Sequence, residues 1–184
     1  MSRFLVRTIL SSMLICLVGC SSGEMIKSYT RENTSLGYVK TVAVLPFEGG
    51  NTQRIREFAM TQMLTSGVFD VVDKGRVDIA LQREVISPGA PIDTGTLKRL
   101  GRVLKVEAFI FGSVEQKIQS RGNARYPEVV MTLRLIDSET GTLLWQATGR
   151  GSGYSLSDRL FGLAPKDEFL VTMDLLRELI DTIE

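Results

Sequence analysis

The chain has 184 residues, 43% of them hydrophobic, with 22 basic and 21 acidic side chains, two cysteines and no histidine. The size and apolar content are those of one globular domain, and the absence of histidine excludes the usual zinc, copper and haem ligand sets and all histidine-based catalytic triads. Without Arg3 and Arg7 at the N-terminus, 20 basic side chains remain against 21 acidic ones, and this net charge of −1 provides no field for a polyanion, so we expect no nucleic acid partner.

The N-terminus carries the pattern of a cleaved export signal. Two arginines precede an apolar stretch at 9–18, which is shorter than the roughly twenty residues that a spanning helix needs. The stretch ends in Leu-Val-Gly before Cys20, which resembles the lipobox of bacterial lipoproteins, where the cysteine is acylated and becomes the first mature residue. We therefore predict a signal peptide over 1–19 and lipidation of Cys20.

The residues after Cys20 predict the compartment and a tether. Ser21 favours the outer membrane, because lipoproteins of this kind that stay at the inner membrane commonly have aspartate there. Residues 20–40 are polar and predict a flexible tether that spans at most about 70 Å, at about 3.5 Å per residue. With Cys16 in the signal and Cys20 acylated, the mature domain has no thiol pair for a disulfide, so its stability must come from its core.

The first half of the predicted domain is a βαβ unit. The β-branched, apolar run 41–47 predicts a central strand, and a helix capped by Asn51 or Thr52 follows it and ends near Gly67. Residues 68–73 predict a second strand. Two strands joined through a helix imply a parallel pair with a right-handed crossover.

The second half combines helices with a meander. Two helices are predicted on either side of a Pro- and Gly-rich break at 87–91, the second of them capped by Asp93 or Thr94. Short Gly-containing connections then join three strands into an antiparallel meander with one buried and one wetter face. The strands are predicted at 108–118, 128–137 and 142–150, and a closing helix from about 166 presents Leu170, Met173, Leu176, Leu179, Ile180 and Ile183 on one side.

The prediction is thus a single α/β domain over 41–184 with a mixed sheet, an N-terminal parallel βαβ unit, a C-terminal antiparallel meander and packing helices. Four runs in order, at 41–47, 69–73, 109–114 and 135–141, resemble the periplasmic domain of CsgG-like lipoproteins. That group comprises the curli production assembly/transport component and its relatives, and a similar fold occurs in penicillin-binding-protein activator lipoproteins and in the N-terminal domain of the Tol translocation protein.

The resemblance implies two roles, and each meets a difficulty. Secretion-channel members insert long hairpins into the membrane, each strand needing about 9 to 11 alternating residues. Here the core sheet uses every predicted strand, and 121–125 and 138–141 are predicted turns, so we expect no autonomous pore. An activator must reach a synthase anchored on the inner membrane, and a tether of about 70 Å plus one domain reaches poorly.

Candidate catalytic patterns have simpler explanations. The run 149–153 is rich in glycine but lacks the ending of a phosphate-binding loop, so it predicts a bulge or loop. Ser113 lacks the spacing of a nucleophile elbow and a histidine to activate it. Asp93, Asp167 and Glu168 stand where helix caps are expected. We predict no catalytic residue, no metal site and no cofactor.

The segment 154–165 is too apolar for a free loop. Either it packs on its own sheet or it docks a partner or a neighbouring subunit. Our leading interpretation is a non-enzymatic, outer-membrane-anchored lipoprotein acting as an accessory module in envelope assembly or curli-type secretion, with a periplasmic or outer-membrane protein partner or self-association. The alternatives are a regulator of a peptidoglycan synthase and a subunit of a pore-associated ring. The candidate partner contacts are Tyr154, Leu156, Leu160, Phe161 and Leu163.

Overall fold

The computed structural model describes residues 26–32, 36–50, 52–87 and 89–183, except for the side chains of Leu156 and Ser157. The predicted signal peptide, Cys20 and the alternative helix cap Asn51 lie outside the described residues. No helix in these ranges has both the length and the apolar character that crossing a membrane requires.

The described residues form six strands and five α-helices, of which five strands and four helices come in the order that the apolar patterns predict. The first strand, a short 3-10 turn after it and a short helix after the last strand were not predicted. The strands are β1 (Lys27–Thr30), β2 (Thr41–Val44), β3 (Asp70–Val71), β4 (Ala108–Arg121), β5 (Ala124–Asp137) and β6 (Leu143–Ser152). The helices are α1 (Thr52–Ser66), α2 (Lys74–Arg83), α3 (Thr94–Leu104), α4 (Leu156–Phe161) and α5 (Glu168–Ile180), and the 3-10 turn is Leu36–Tyr38.

The strands form one mixed sheet in the order β1-β6-β5-β4-β2-β3. β2 runs parallel to both β3 and β4, and α1 provides the connection from β2 to β3. β4, β5 and β6 pair antiparallel as a meander. The predicted α/β class, with a parallel βαβ unit followed by an antiparallel meander, is confirmed.

Helices cover the two faces of this sheet unequally. α1 and α5 pack on one face, which we call the closed face, where they bury alternate residues of all the long strands, including Met131, Leu133 and Trp145. α2 and α3 pack on the opposite face around Ala43, Leu45 and Phe109. The fully buried side chains of that second core end at β4, with half-buried Ile136 of β5 packed against them. In the part of the chain that the structure describes, no helix therefore covers most of the opposite face of β5 and β6.

The first residues of the domain correct the predicted tether. β1 pairs antiparallel with β6, from Lys27 opposite Thr148 to Thr30 opposite Trp145, and both Leu36 and Val39 are buried. An edge strand is held by backbone hydrogen bonds and keeps its side chains exposed, so it leaves no apolar period in the sequence. The fold therefore begins no later than Ile26, rather than at residue 41.

The meander also differs from the prediction in its lengths. β4 and β5 pair up to Arg121 opposite Ala124, so the predicted turn at 121–125 shrinks to Gly122 and Asn123. Gly122 has φ +60°, the left-handed conformation that such a tight turn requires and glycine adopts readily. In contrast, β3 has only two residues, because Val68 is exposed and Asp73 already caps α2.

The glycine-rich run at the end of β6 is a strand, and the predicted bulge or loop is wrong there. A Cβ on Gly149 would lie 2.8 Å from Leu175 Cδ1, and one on Gly151 would lie 2.9 Å from Val171 Cγ1. These glycines therefore let α5 approach the sheet closely. The predicted apolar side of the closing helix is confirmed at Leu176, Leu179, Ile180 and Ile183, which are buried. Leu170 is 47% exposed, and the buried side extends to Val171, Thr172 and Leu175 instead.

Candidate functional site

The carboxylates that sequence patterns single out act as helix caps. Asp93 accepts hydrogen bonds from the backbone N–H of Thr96 at 3.1 Å and from its hydroxyl at 2.7 Å, and these bonds lower the pKa of Asp93. Asp167 accepts from the backbone N–H of Leu170 at 2.8 Å. Both capping predictions are confirmed. Within the described ranges no three or more Cys, Asp or Glu side chains are grouped to hold a metal ion.

A polar surface occupies the part of the sheet that α2 and α3 leave uncovered. We call it the open face; it consists of half-buried side chains that point away from α1 and α5. The hydroxyl groups of Thr132 and Thr148 lie 2.9 Å apart on neighbouring strands. Arg134 contacts Glu48 at 3.7 Å and lies over the Phe111 ring at 5.7 Å. The open face comprises Ser113, Val130, Thr132, Arg134, Gln146 and Thr148.

This surface includes a shallow cleft of about 230 Å³ beside the edge of β4. Glu48, Ser113, Glu115 and Thr132 line it. Ser113, which lacks the spacing of a nucleophile elbow, therefore lies on a solvent-facing surface together with two carboxylates, Glu48 and Glu115. The cleft is too shallow to enclose a substrate, and its size suits contact with one or two side chains of another protein.

The turn between β5 and β6 is closed by a network centred on Asp137. Its carboxylate accepts hydrogen bonds from the Tyr38 hydroxyl at 2.8 Å, the backbone N–H groups of Glu139 and Thr140 at 3.0 and 2.7 Å, and the Thr140 hydroxyl at 2.8 Å. Burial opposes ionisation of Asp137, but these bonds outweigh burial and lower its pKa. Burial and the hydrogen bond to Asp137 raise the pKa of Tyr38 to about 12.

Sequence patterns did not single out Arg56, which is only 3% exposed. Its Nε donates to the Val44 carbonyl at 2.9 Å and its Nη1 donates to Asp78 at 2.6 Å, so the guanidinium joins β2, α1 and α2 beside a cavity of about 430 Å³. Burial raises the pKa of Asp78, but the bonds from Arg56 and Lys74 outweigh it and lower the pKa overall. No local pattern indicates this role, because the groups that Arg56 bonds, at Val44 and Asp78, are 12 and 22 residues away in the chain.

The apolar segment 154–165 leaves the end of the sheet and returns to it. The backbone N–H of Gly153 donates to the Pro127 carbonyl at 2.8 Å, and the N–H of Lys166 donates to the Gly153 carbonyl at 2.7 Å. Ser155 and Asp158 form a capping box at the start of α4, and Gly162, with φ +64°, ends it. The two ends of the segment thus meet, and α4 stands between them.

The structure places the five candidate contact residues differently. Tyr154 is half-buried against the Tyr126 ring, 5.5 Å between centroids, with Arg159 over its face. Leu160, Phe161 and Leu163 are 81%, 77% and 55% exposed, so these three side chains do not bury themselves on the sheet. The side chain of Leu156 lies outside the described residues. Contact of any of the five with a partner stays a prediction.

Several known proteins share this architecture. The family model of the peptidoglycan-synthase activator LpoB matches residues 47–150, which begin just after β2 and end within β6. No curated protein sequence is similar enough to count as a relative. Among solved structures, the PelC dodecamer from Paraburkholderia phytofirmans is similar with a TM-score of 0.56 and 18% identity, covering 85% of this chain and 94% of that one. Lipoprotein GNA1162 from Neisseria meningitidis has a TM-score of 0.57 and 15% identity, covering 78% and 97%.

The structural similarities, at such low identities, show the fold alone. The family match is more specific, because it covers more than half of the chain. It supports the activator lipoproteins among the relatives that the sequence resembles, and it gives no support to the curli component or to curli-type secretion. The chain belongs to the family of the peptidoglycan-synthase activator LpoB.

Proposed function

We propose that this protein is a non-enzymatic lipoprotein that is anchored in the outer membrane through Cys20 and activates a peptidoglycan synthase from the periplasmic side. The observation that carries the proposal is the family match over residues 47–150. It spans α1 to α3 and most of the three meander strands. It therefore includes every residue of the open face, which is the surface that we assign to the synthase. The roles that the carboxylates play as helix caps agree with an accessory protein rather than an enzyme.

The open face is the surface that we assign to the synthase. Side chains that stand on a rigid sheet lose little conformational freedom on binding, so they suit a docking surface. Thr132 and Thr148 present hydroxyl groups, and Arg134 presents a charge held in place by Glu48 and Phe111. The partner we expect is a folded periplasmic domain with polar, hydrogen-bonding side chains at its contact surface.

A direct test measures glycan polymerisation by a purified synthase of the same bacterium with and without the detergent-solubilised lipoprotein. Thr132→Arg places a long charged side chain in the middle of the open face and should abolish the stimulation. Thr61→Arg is the matched control, since Thr61 is an exposed residue on α1. Full stimulation by Thr132→Arg, with an unchanged thermal melt for both variants, would exclude the open face. If the unaltered lipoprotein neither binds nor stimulates the synthase, the activator function itself fails.

The position of β1 limits how far the domain can extend from the membrane anchor. Because β1 is part of the sheet, only six residue steps separate Cys20 from Ile26, and they span at most about 20 Å. β5 adds about 45 Å, at about 3.3 Å per residue. The far end of the domain therefore lies within about 65 Å of the membrane anchor, and the synthase must extend to it.

Tether length tests this geometry. A flexible insertion of glycine and serine residues between Gly23 and Glu24 should keep or increase synthase stimulation in cells, because it widens the reach without touching the fold. The control is an insertion of the same composition after Glu184, which leaves the reach unchanged. Loss of stimulation on lengthening the tether would show that the domain must stay close to the membrane.

A further inference from the structure

We propose that the segment 154–165, together with the tip of the β4–β5 hairpin, docks on the membrane surface next to the lipid anchor. One end of the domain would then stay in contact with the bilayer, and the domain would not move freely on its tether. The inference rests on the anchor of the proposed function and adds to it a second, non-covalent contact with the phospholipid.

The direction of β1 places the anchor at this end of the sheet. β1 runs antiparallel to β6, so its first residue, Lys27, faces Thr148 near the end of β6. Ile26 lies beside Gly149, since a Cβ on that glycine would be 3.1 Å from Ile26 Cγ1. The base of the segment, Gly153, is four residues further along β6, about 13 Å away. The anchor, at most about 20 Å from Ile26, is therefore close enough to bring the bilayer to this base.

The segment presents apolar side chains where the bilayer would be. Its closed base, in which Gly153 bonds to Pro127 and Lys166, leaves α4 outside the sheet. Leu160 and Phe161, on α4, are the most exposed leucine and phenylalanine of the described residues. Ile118, which is opposite Pro127 in the ladder, is also exposed and adds apolar surface at the same level. Exposed apolar side chains of this size on a short helix favour insertion into the headgroup region.

Basic side chains are exposed at the same end of the sheet as this apolar surface. Arg121 and Arg125 flank the hairpin turn and are exposed, and no ion pair with another described residue holds them. Lys27 on β1 and Arg150 on β6 are exposed at the end where the anchor enters, and Arg150 lies 3.9 Å from Glu128. Exposed leucine and phenylalanine together with exposed arginine at one end of the sheet match an interface with acyl chains and anionic phosphate groups. If this surface instead bound a second copy of the chain, there would be no reason for it to lie next to the anchor.

The test uses full-length lipoprotein in which Leu160→Cys carries an environment-sensitive nitrobenzoxadiazole dye. The acylated mature chain offers no other free thiol, because Cys16 is removed and Cys20 is modified. The protein is reconstituted in vesicles of phosphatidylethanolamine and phosphatidylglycerol. Val103→Cys is the matched control, an exposed aliphatic residue on α3 at the opposite end of the domain. We expect a several-fold rise in emission at 160 compared with detergent-free buffer, quenched by spin-labelled lipid, and no change at 103.

A second variant tests the exposed arginines. In anionic vesicles, Arg121→Glu combined with Arg125→Glu should reduce the emission at 160 compared with labelled protein that keeps both arginines. In vesicles of phosphatidylcholine alone, the emission of these two proteins should differ less. An identical response of both proteins in both kinds of vesicle would remove the hairpin tip from the proposal.

Three results would overturn the inference. Emission at 160 that stays at the level of position 103 shows that the segment faces water. A rise that appears only when the synthase is added shows that the segment binds protein. A rise without lipid, with crosslinks between two copies at position 160, shows self-association. The mass of the mature N-terminal peptide reports lipidation separately, so loss of the anchor is distinguished from loss of docking.

Discussion

The two ends of the sheet differ in how their side chains are satisfied. At the end where β5 turns into β6, polar groups are paired by hydrogen bonds, whereas at the end where β4 turns into β5, apolar side chains are exposed to solvent. Asp137 alone accepts four hydrogen bonds at the first end, from Tyr38, Glu139 and Thr140. At the second end Leu160 and Phe161 are more than three-quarters exposed. The hydrogen bonds at the first end stabilise the fold, whereas the exposed apolar side chains at the second end do not contribute to its stability.

The largest effect on stability within this comparison is expected from Asp137→Ala. The substitution leaves the Tyr38 hydroxyl and two backbone N–H groups of the turn without their acceptor, and should lower the free energy of unfolding by about 3 kcal/mol. Urea unfolding followed by the fluorescence of Trp145, the only tryptophan and fully buried, measures it. As a control, Asp181→Ala at the exposed end of α5 should cost less than about 0.5 kcal/mol. Equal losses in both variants would contradict the role of the network.

A smaller effect at the same end is expected from Gly101→Ala. A Cβ at this position would lie 2.7 Å from Ser138 Cβ, and Ser138 is fixed by its hydrogen bond to the Val106 carbonyl. The free energy of unfolding should fall by about 1 to 2 kcal/mol, because α3 must move away from the turn. Gly50→Ala, which adds a methyl group in open space, should be close to neutral in the same urea experiment. A neutral Gly101→Ala would mean that this end is loosely packed.

The pH dependence of stability should reveal the same network. Because the pKa of Asp137 is lower in the folded protein than its ordinary value, the ionised carboxylate stabilises the fold above that ordinary value, and this contribution is lost as pH falls through the folded pKa. The stability difference between the unaltered protein and Asp137→Asn should therefore be constant above about pH 5 and shrink below about pH 4. Urea unfolding at a series of pH values measures it. A difference that does not depend on pH would exclude the carboxylate charge as its source.

The smallest effect is expected at the opposite end. Phe161→Asp should change the free energy of unfolding by less than about 0.5 kcal/mol, because the ring is 77% exposed. The control Phe109→Ala removes a fully buried ring and should cost about 3 to 5 kcal/mol. A thermal melt of both variants makes the comparison. If Phe161→Asp destabilised the protein like Phe109→Ala, the segment would belong to the core, and the contrast between the two ends would fail.

The site was partly predictable from the sequence. Asp93 and Asp167 were predicted as caps because a capping side chain bonds to N–H groups only two or three residues ahead, and such contacts follow from local spacing. The segment 154–165 was singled out by its apolar content, but its exposure could not be predicted, because composition does not tell which surfaces lie next to a segment. Arg56 and the Tyr38–Asp137 contact join residues far apart in the chain, so no spacing pattern reveals them.

The sequence by itself determined the order and type of the main elements, since apolar periods of helices and strands record which side of each element is buried. Only the tertiary structure decided that β1 completes the sheet, that Gly149 and Gly151 make room for α5, and that one face of β5 and β6 stays open. Edge pairing uses backbone groups that every residue has, and helix placement depends on neighbours distant in sequence. Neither leaves a period along the chain from which it could be predicted.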